Sequence, residues 1–317
     1  MKNYFSFNLT GRKLLPIWIL FLVCFIAPYA TLVISMQNIQ PGNSLLYLFF
    51  PLVLLLIVIA FVIAFYIARL AIENVAFKDQ SIVFHGKFSE FIGVVILGYF
   101  LSIITLGIYL AWFIRDLHRF FINNSSFDSQ FLKFQGQGGK LFVILLLTIM
   151  LPVIILSVIM ALFIIKNGAV SAEGMIIQQV VMLILMIPYM YFLYKWMVNI
   201  AYKNYIITWK TNAWNSCGKI ALEMVLTVIT VGIYAPLAML RIYKYFTDRT
   251  TAVSTEGEFR FGYEIDQLND FLFIWGQTLL MIITLGIYYP WALCKIGNRI
   301  LGKTYFLKEN IVSVVIM

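Results

Sequence analysis

Charge is what this sequence has least of. Only 12% of its 317 residues are Asp, Glu, Lys or Arg, against about a quarter in a soluble domain, so an ordinary water-soluble enzyme is excluded. Acid is scarcer than base: 14 Asp+Glu stand against 23 Lys+Arg, a formal net charge of +9. The bases lie beside apolar runs rather than in one patch, which suits positive-inside anchoring and not nucleic-acid binding. Cys24, Cys217 and Cys294 are far apart and form no C-x-x-C pair, so neither a disulfide framework nor a zinc site follows. A Walker A loop, a GxGxxG opening a helix, HExxH and GxSxG are all missing. The two histidines offer little chemistry: His118, between Arg115 and Arg119, reads as interfacial, and His85, before Gly86, as a turn residue. No catalytic residue, metal or cofactor is expected.

What the chain has in excess is apolar length, with 62% hydrophobic residues and a mean hydropathy of +0.92. Runs longer than about 18 apolar residues mark membrane helices. Seven apolar segments stand out: 14–36, 45–72, 91–114, 141–165, 175–197, 220–240 and 271–294. The first follows Lys2, Arg12 and Lys13 but is too long for a signal-peptide core and contains Pro28, so it is expected to stay as an uncleaved helix. Two separators, 37–44 and 166–174, are short enough to be helix-hairpin turns. The fold class expected is an all-α polytopic membrane protein.

Internal similarity refines this. Ile104-Thr105-Leu106-Gly107-Ile108-Tyr109 recurs as Ile229-Thr230-Val231-Gly232-Ile233-Tyr234 and as Ile283-Thr284-Leu285-Gly286-Ile287-Tyr288. The shift of 125 between the first two also aligns Asn74 to Lys78 with Asn199 to Lys203. The expected organisation is a first membrane unit at 1–125, a second at 126–250 and a partial third at 251–317. Between the apolar segments, stretches such as 76–86, 126–136 and 201–209 carry aromatic or β-branched residues near two-residue spacing, several closing on Gly. They read as short strands that pair into a small sheet on the basic, cytoplasmic face.

Every long connection is basic and only the two short turns are not, so the motif segments are expected to enter and leave the membrane on one side. Gly107, Gly232 and Gly286 can end a helix in the left-handed C′ conformation, and Pro236 and Pro290 suit the first turn of the next helix. The 16 residues from Phe91 to Leu106 span roughly 24 Å, short of the roughly 30 Å hydrocarbon core. Each motif is therefore expected to be a re-entrant helical hairpin, its turn buried against protein at the pseudo-symmetric centre.

The turn residues are accordingly the candidate site: Thr105, Gly107, Tyr109, Thr230, Gly232, Tyr234, Thr284, Gly286, Tyr288, Pro290 and Trp291. Arg115, Arg119, Arg241, Lys244 and Arg299 are expected to be cytoplasmic anchors that reach headgroups. Glu223, the one acid well inside an apolar segment, has Lys219 four residues before it and reads as a local pair.

With its Thr284-Leu285-Gly286-Ile287-Tyr288-Tyr289-Pro290-Trp291 segment, the chain resembles the YjgN-type family of uncharacterised bacterial inner-membrane proteins. The first copy keeps Trp112 but has Ala111 at the proline position, and the second keeps Pro236 but has Leu237 for the tryptophan. The resemblance implies an inner-membrane location and no activity. Two functions compete: a small-solute channel or transporter built on broken helices, or a non-catalytic membrane scaffold whose basic, aromatic face binds lipid or a partner protein. The expected partners are membrane lipids and, for a transporter, a small solute. Both termini are expected in the cytoplasm.

Overall fold

The computed structural model describes residues 2–38, 46–168, 172–254 and 257–308. β1 (Asn3–Phe7) leads into α1 (Gly11–Phe21), which continues through a π-helical turn, Leu22–Ile26, into α2 (Ala27–Asn38); α3 (Leu46–Glu73) returns. After β2 (Val75–Phe77), β3 (Gln80–Ser81) and β4 (Val83–Phe84) come α4 (Phe88–Ile104) and α5 (Leu110–Asn123). β5 (Ser125–Phe127) and β6 (Gln130–Phe134) precede α6 (Gly138–Leu145), a second π turn at Leu146–Met150, α7 (Leu151–Asn167) and α8 (Ala172–Met197). β7 (Ile200–Tyr202) and β8 (Tyr205–Trp209) precede α9 (Ala213–Ile229) and α10 (Ala235–Thr247). β9 (Thr250–Ser254), β10 (Gly257–Tyr263), α11 (Gln267–Ile283), α12 (Tyr289–Leu301) and β11 (Thr304–Lys308) complete the described chain.

Among the described residues, four of the seven apolar segments give helices long and apolar enough to cross a membrane: Gly11–Met36, Pro51–Glu73, Gly138–Ile165 and Gly174–Met197. Two of them carry a π turn, and in each a proline, Pro28 or Pro152, lies two residues beyond it. A proline removes one N–H from the i→i−4 ladder, and the wider turn absorbs the interruption. The motif helices α4, α9 and α11 have 17 residues each, roughly 25 Å of length, and stop short of a crossing.

The strands overturn the expected all-α class with its small sheet. All eleven belong to one antiparallel sheet in the order β3-β2-β1-β11-β10-β9-β8-β7-β6-β5-β4. Its two edges, β3 and β4, are separated only by Ile82, whose N–H donates to Val75 O at 3.0 Å. The sheet therefore curls into a barrel of ten staves, counting β3 and β4 as one, and among the described residues it leaves no free edge. Two of its tight turns run through paired left-handed residues, Lys78-Asp79 (φ 50 and 62) and Asp128-Ser129 (φ 49 and 58). That is the hairpin geometry that matches strand twist.

Side chains alternate along the staves. At the helix end, Phe7, Phe84, Phe134, Trp209 and Tyr263 are buried, and each anchors a separate apolar cluster with the helices. Phe84, for instance, packs with Phe65, Phe91 and Phe120, and Trp209 with Tyr191, Ile220 and Phe246. The aromatic end of each such stave thus ties the barrel to the helical layer beneath.

Candidate functional site

The three motif segments make the same turn. α4 ends at Ile104 and Thr105 caps it; Leu106 turns left-handed (φ 51), and Gly107 follows at φ 88. Gly107 N–H donates to Ser102 O at 2.7 Å, closing the helix end. The threonine hydroxyl then stitches the incoming helix to the outgoing one: Thr105 Oγ1 donates to Leu101 O (2.7 Å) and accepts from Tyr109 N–H (2.9 Å). Thr230 bonds Leu226 O (2.8 Å) and Tyr234 N–H (3.1 Å) in the same way. So does Thr284 with Leu280 O (2.7 Å) and Tyr288 N–H (3.1 Å).

Gly107, Gly232 and Gly286 are left-handed at the helix end as expected, each preceded by a further left-handed residue, Leu106, Val231 or Leu285. One expectation is corrected here: the turns are not buried at a centre, for Leu106, Val231 and Leu285 are each 90% exposed. Two left-handed residues in succession throw the first side chain off the end of the hairpin, so its apolar tip points away from the protein. Ile104, Ile229 and Ile283 beside the tips are exposed as well.

Behind two of the turns the motif tyrosine reaches an inner polar group. Tyr234 Oη donates to Glu223 Oε2 (2.7 Å) and accepts from Arg241 Nη1 (2.8 Å), and Arg241 also donates to Gln267 (2.8 Å). Glu223 is fully buried and receives Lys219 Nζ as well, as the i,i+4 spacing implied. Tyr288 repeats the pattern with Gln277 (3.0 Å) and Lys295 (2.9 Å). Tyr109 instead stacks on Trp112.

The motif tryptophan has a packing role. A Cβ on Gly138 would lie 2.6 Å from Trp112, and one on Gly11 2.6 Å from Trp291. Each indole therefore covers the glycine that opens a long helix, Trp112 at the start of α6 and Trp291 at the start of α1. Leu237 stands where the following helix, α11, opens on Gln267 instead. Pro290, fully buried, sits in the first turn of α12.

The expected anchors are largely engaged within the protein. Arg115 pairs with Asp116, Lys244 with Asp248 and Tyr263 O, and Arg299 with Asp270, while Arg119 is exposed. Asp270, 1% exposed, is the centre that sequence reading missed: Arg299 Nε and Lys303 Nζ both donate to its Oδ1 at 2.6 Å. Burial opposes its charge, but those two cations outweigh burial and hold its pKa below the usual carboxylate value. Burial, and then the Asp270 charge, push the neighbouring Tyr263 hydroxyl up. The signal was present as a cap: Asp266 accepts from Asn269 N–H, and Asp270 reaches back to Asp266 N–H. Among the described residues no group of His, Cys, Asp and Glu could hold a metal.

These features define a class: a helical protein with four apolar helices of membrane-crossing length, headed by a closed antiparallel barrel. The chain belongs to the DUF898 family of bacterial proteins of unknown function, whose model matches residues 2–261. No curated protein and no solved structure matches it.

Proposed function

We propose that this is a non-catalytic inner-membrane protein in which the helices are the anchor and the barrel is the recognition part. The two long helical hairpins cross the bilayer, and the three short ones dip into one leaflet. The observation that carries this reading is the set of tips, Leu106, Val231 and Leu285, each 90% exposed on hairpins too short to cross. Exposed leucine and valine at such a density are costly in water and favourable in hydrocarbon. Because every stave belongs to one barrel, all the basic connections share one side, and the positive-inside rule assigns that side to the cytoplasm. The element order supports reading 1–125 and 126–250 as copies, with 251–317 as a partial third. A transporter would need polar groups facing a path, whereas the three motif threonines spend their protons on helix carbonyls.

Cysteine labelling tests the reading in cells after Cys24, Cys217 and Cys294 are replaced. Cysteines at positions 128 and 212 are expected to react with an impermeant maleimide only after permeabilisation, and cysteines at 106, 231 and 285 from neither side. Reaction at 128 or 212 from outside would place the barrel on the wrong face, and reaction at the tips would remove them from the bilayer.

A further inference from the structure

The barrel is not filled by its own side chains. Eight staves make a tube that side chains just fill, and this one has ten. Beyond the ring that joins it to the helices lies a chamber of about 450 Å³, within the range of ligand sites. Its wall includes Phe77, Phe127, Tyr202, Phe259, Phe306 and Ala252. Phe77 lies across from Phe127 and Phe306 with ring centroids 6.1 and 6.0 Å apart, and Phe259 stacks on Phe306 at 5.0 Å. The Tyr202 hydroxyl is already spent on Phe127 O at 3.0 Å, so the wall suits a plain apolar body better than a heteroaromatic one.

Positive charge collects around these rings. Lys78 lines the chamber, with Nζ 5.6 Å from the Phe77 centroid. Lys203 lies over Tyr202 and Lys308 over Phe259. Asp128 takes up Lys203 at 2.6 Å; Lys78 has no carboxylate partner among the described residues. Toward the helices the tube is shut by Phe7, Phe84, Phe134, Trp209 and Tyr263, so entry is from the water side.

We propose that the chamber binds a single-chain amphipathic anion of the fatty-carboxylate class, its chain among the aromatic rings and its carboxylate on Lys78. The proposal rests on the barrel being the recognition part, and it names what that part recognises. An apolar wall supplies affinity for the chain, and the ammonium of Lys78, the lysine in the chamber's lining, discriminates for charge at the head.

The test uses full-length protein in lipid nanodiscs with a diazirine-bearing dodecanoate as photolabel, dodecanoate and dodecan-1-ol as competitors, and mapping of labelled peptides. Label is expected in strand peptides 75–84, 200–209 and 257–263, with dodecanoate competing better than the alcohol. Ala252→Trp, which fills the chamber, should cut strand labelling at least tenfold without changing label in the long helices; if that variant fails to fold, Ala252→Leu replaces it. Lys78→Glu should weaken dodecanoate competition by about tenfold, the loss of one charge-assisted bond, and leave the alcohol unchanged. Label confined to the long helices, or a Lys78→Glu variant that competes like the parent, overturns the proposal. Strand labelling that emerges only after residues 309–317 are deleted also overturns it, since the chain itself would then be the occupant. Any of these results leaves the cysteine topology standing, whereas strand labelling with external reactivity at position 128 would fail the anchor reading alone.

Discussion

The hairpins α4–α5 and α9–α10 fold the same turn over opposite interiors. In both, a threonine hydroxyl links the two arms and a left-handed pair ends the first helix. Nine residues before the turn glycine, however, one hairpin has Gly98 and the other Glu223. Phe113 packs onto Gly98 so closely that a Cβ there would sit 2.1 Å from its ring, and Asp116 occupies the place that Arg241 takes in the second hairpin. The third, with Gln277, Tyr288 and Lys295, is polar but uncharged at the inner position. Turn shape is therefore set by backbone conformation and the threonine. The relay beneath it is a separate choice.

Forcing the charged interior onto the apolar hairpin should have the largest effect. Gly98→Glu would place a carboxylate against Phe113 with no cation positioned for it, and a loss of about 3–5 kcal/mol is expected from overpacking and unpaired charge together. Folded yield and thermal midpoint in detergent are the measurements. Adding Phe113→Ala should restore yield only in part, because room returns but the counter-charge does not. Near-parent stability for Gly98→Glu would show that the two interiors are interchangeable.

The converse change is smaller. Glu223→Gln keeps an acceptor for Tyr234 but strips the counter-charge from Lys219 and Arg241, which are 29% and 31% exposed and can turn to solvent. About 1–2 kcal/mol is expected. Gln277→Glu puts a carboxylate at a buried position, but the exposed Lys295, which already shares the Tyr288 hydroxyl, can follow the new charge, and a smaller loss than that of Glu223→Gln is expected. Equal losses in the two variants would mean that geometry, not charge, governs the inner position.

The same contrast explains what could be read in advance. Helices long and apolar enough to cross a membrane, helix stops and aromatic strand stretches rest on local pattern and length, and each kind is found among the described residues. Barrel closure was out of reach because β3 and β4 are two residues each, too short for any alternation. Two residue pairs on each side, Ala76–Ser81 and Phe77–Gln80, then Val83–Ser126 and Phe84–Ser125, join the sheet's ends. The exposed tips escaped because an apolar residue before glycine looks the same whether it faces lipid or protein.

The smallest prediction sharpens the comparison at the tips. Val231 and Leu106 share φ 51 and 90% exposure, but Val is β-branched and Leu is not. A left-handed L-residue costs roughly 1–2 kcal/mol, and branching at Cβ makes that conformation a greater outlier. Glycine relieves the strain but adds unfolded-state freedom of about 0.4–1 kcal/mol, and it removes a side chain that makes almost no contact within the protein. The unfolded-state term is alike at the two sites, while the side-chain term is smaller for Val, which has one methylene fewer to lose from an apolar surrounding. The difference between Val231→Gly and Leu106→Gly therefore combines the cost of the branch with that methylene, and both favour Val231→Gly. Val231→Gly is expected to have the higher thermal midpoint relative to parent, by about 0.5 kcal/mol, within the spread of that left-handed cost. If Leu106→Gly gains as much or more, backbone strain does not distinguish the hairpins, and their contrast lies wholly in the interiors.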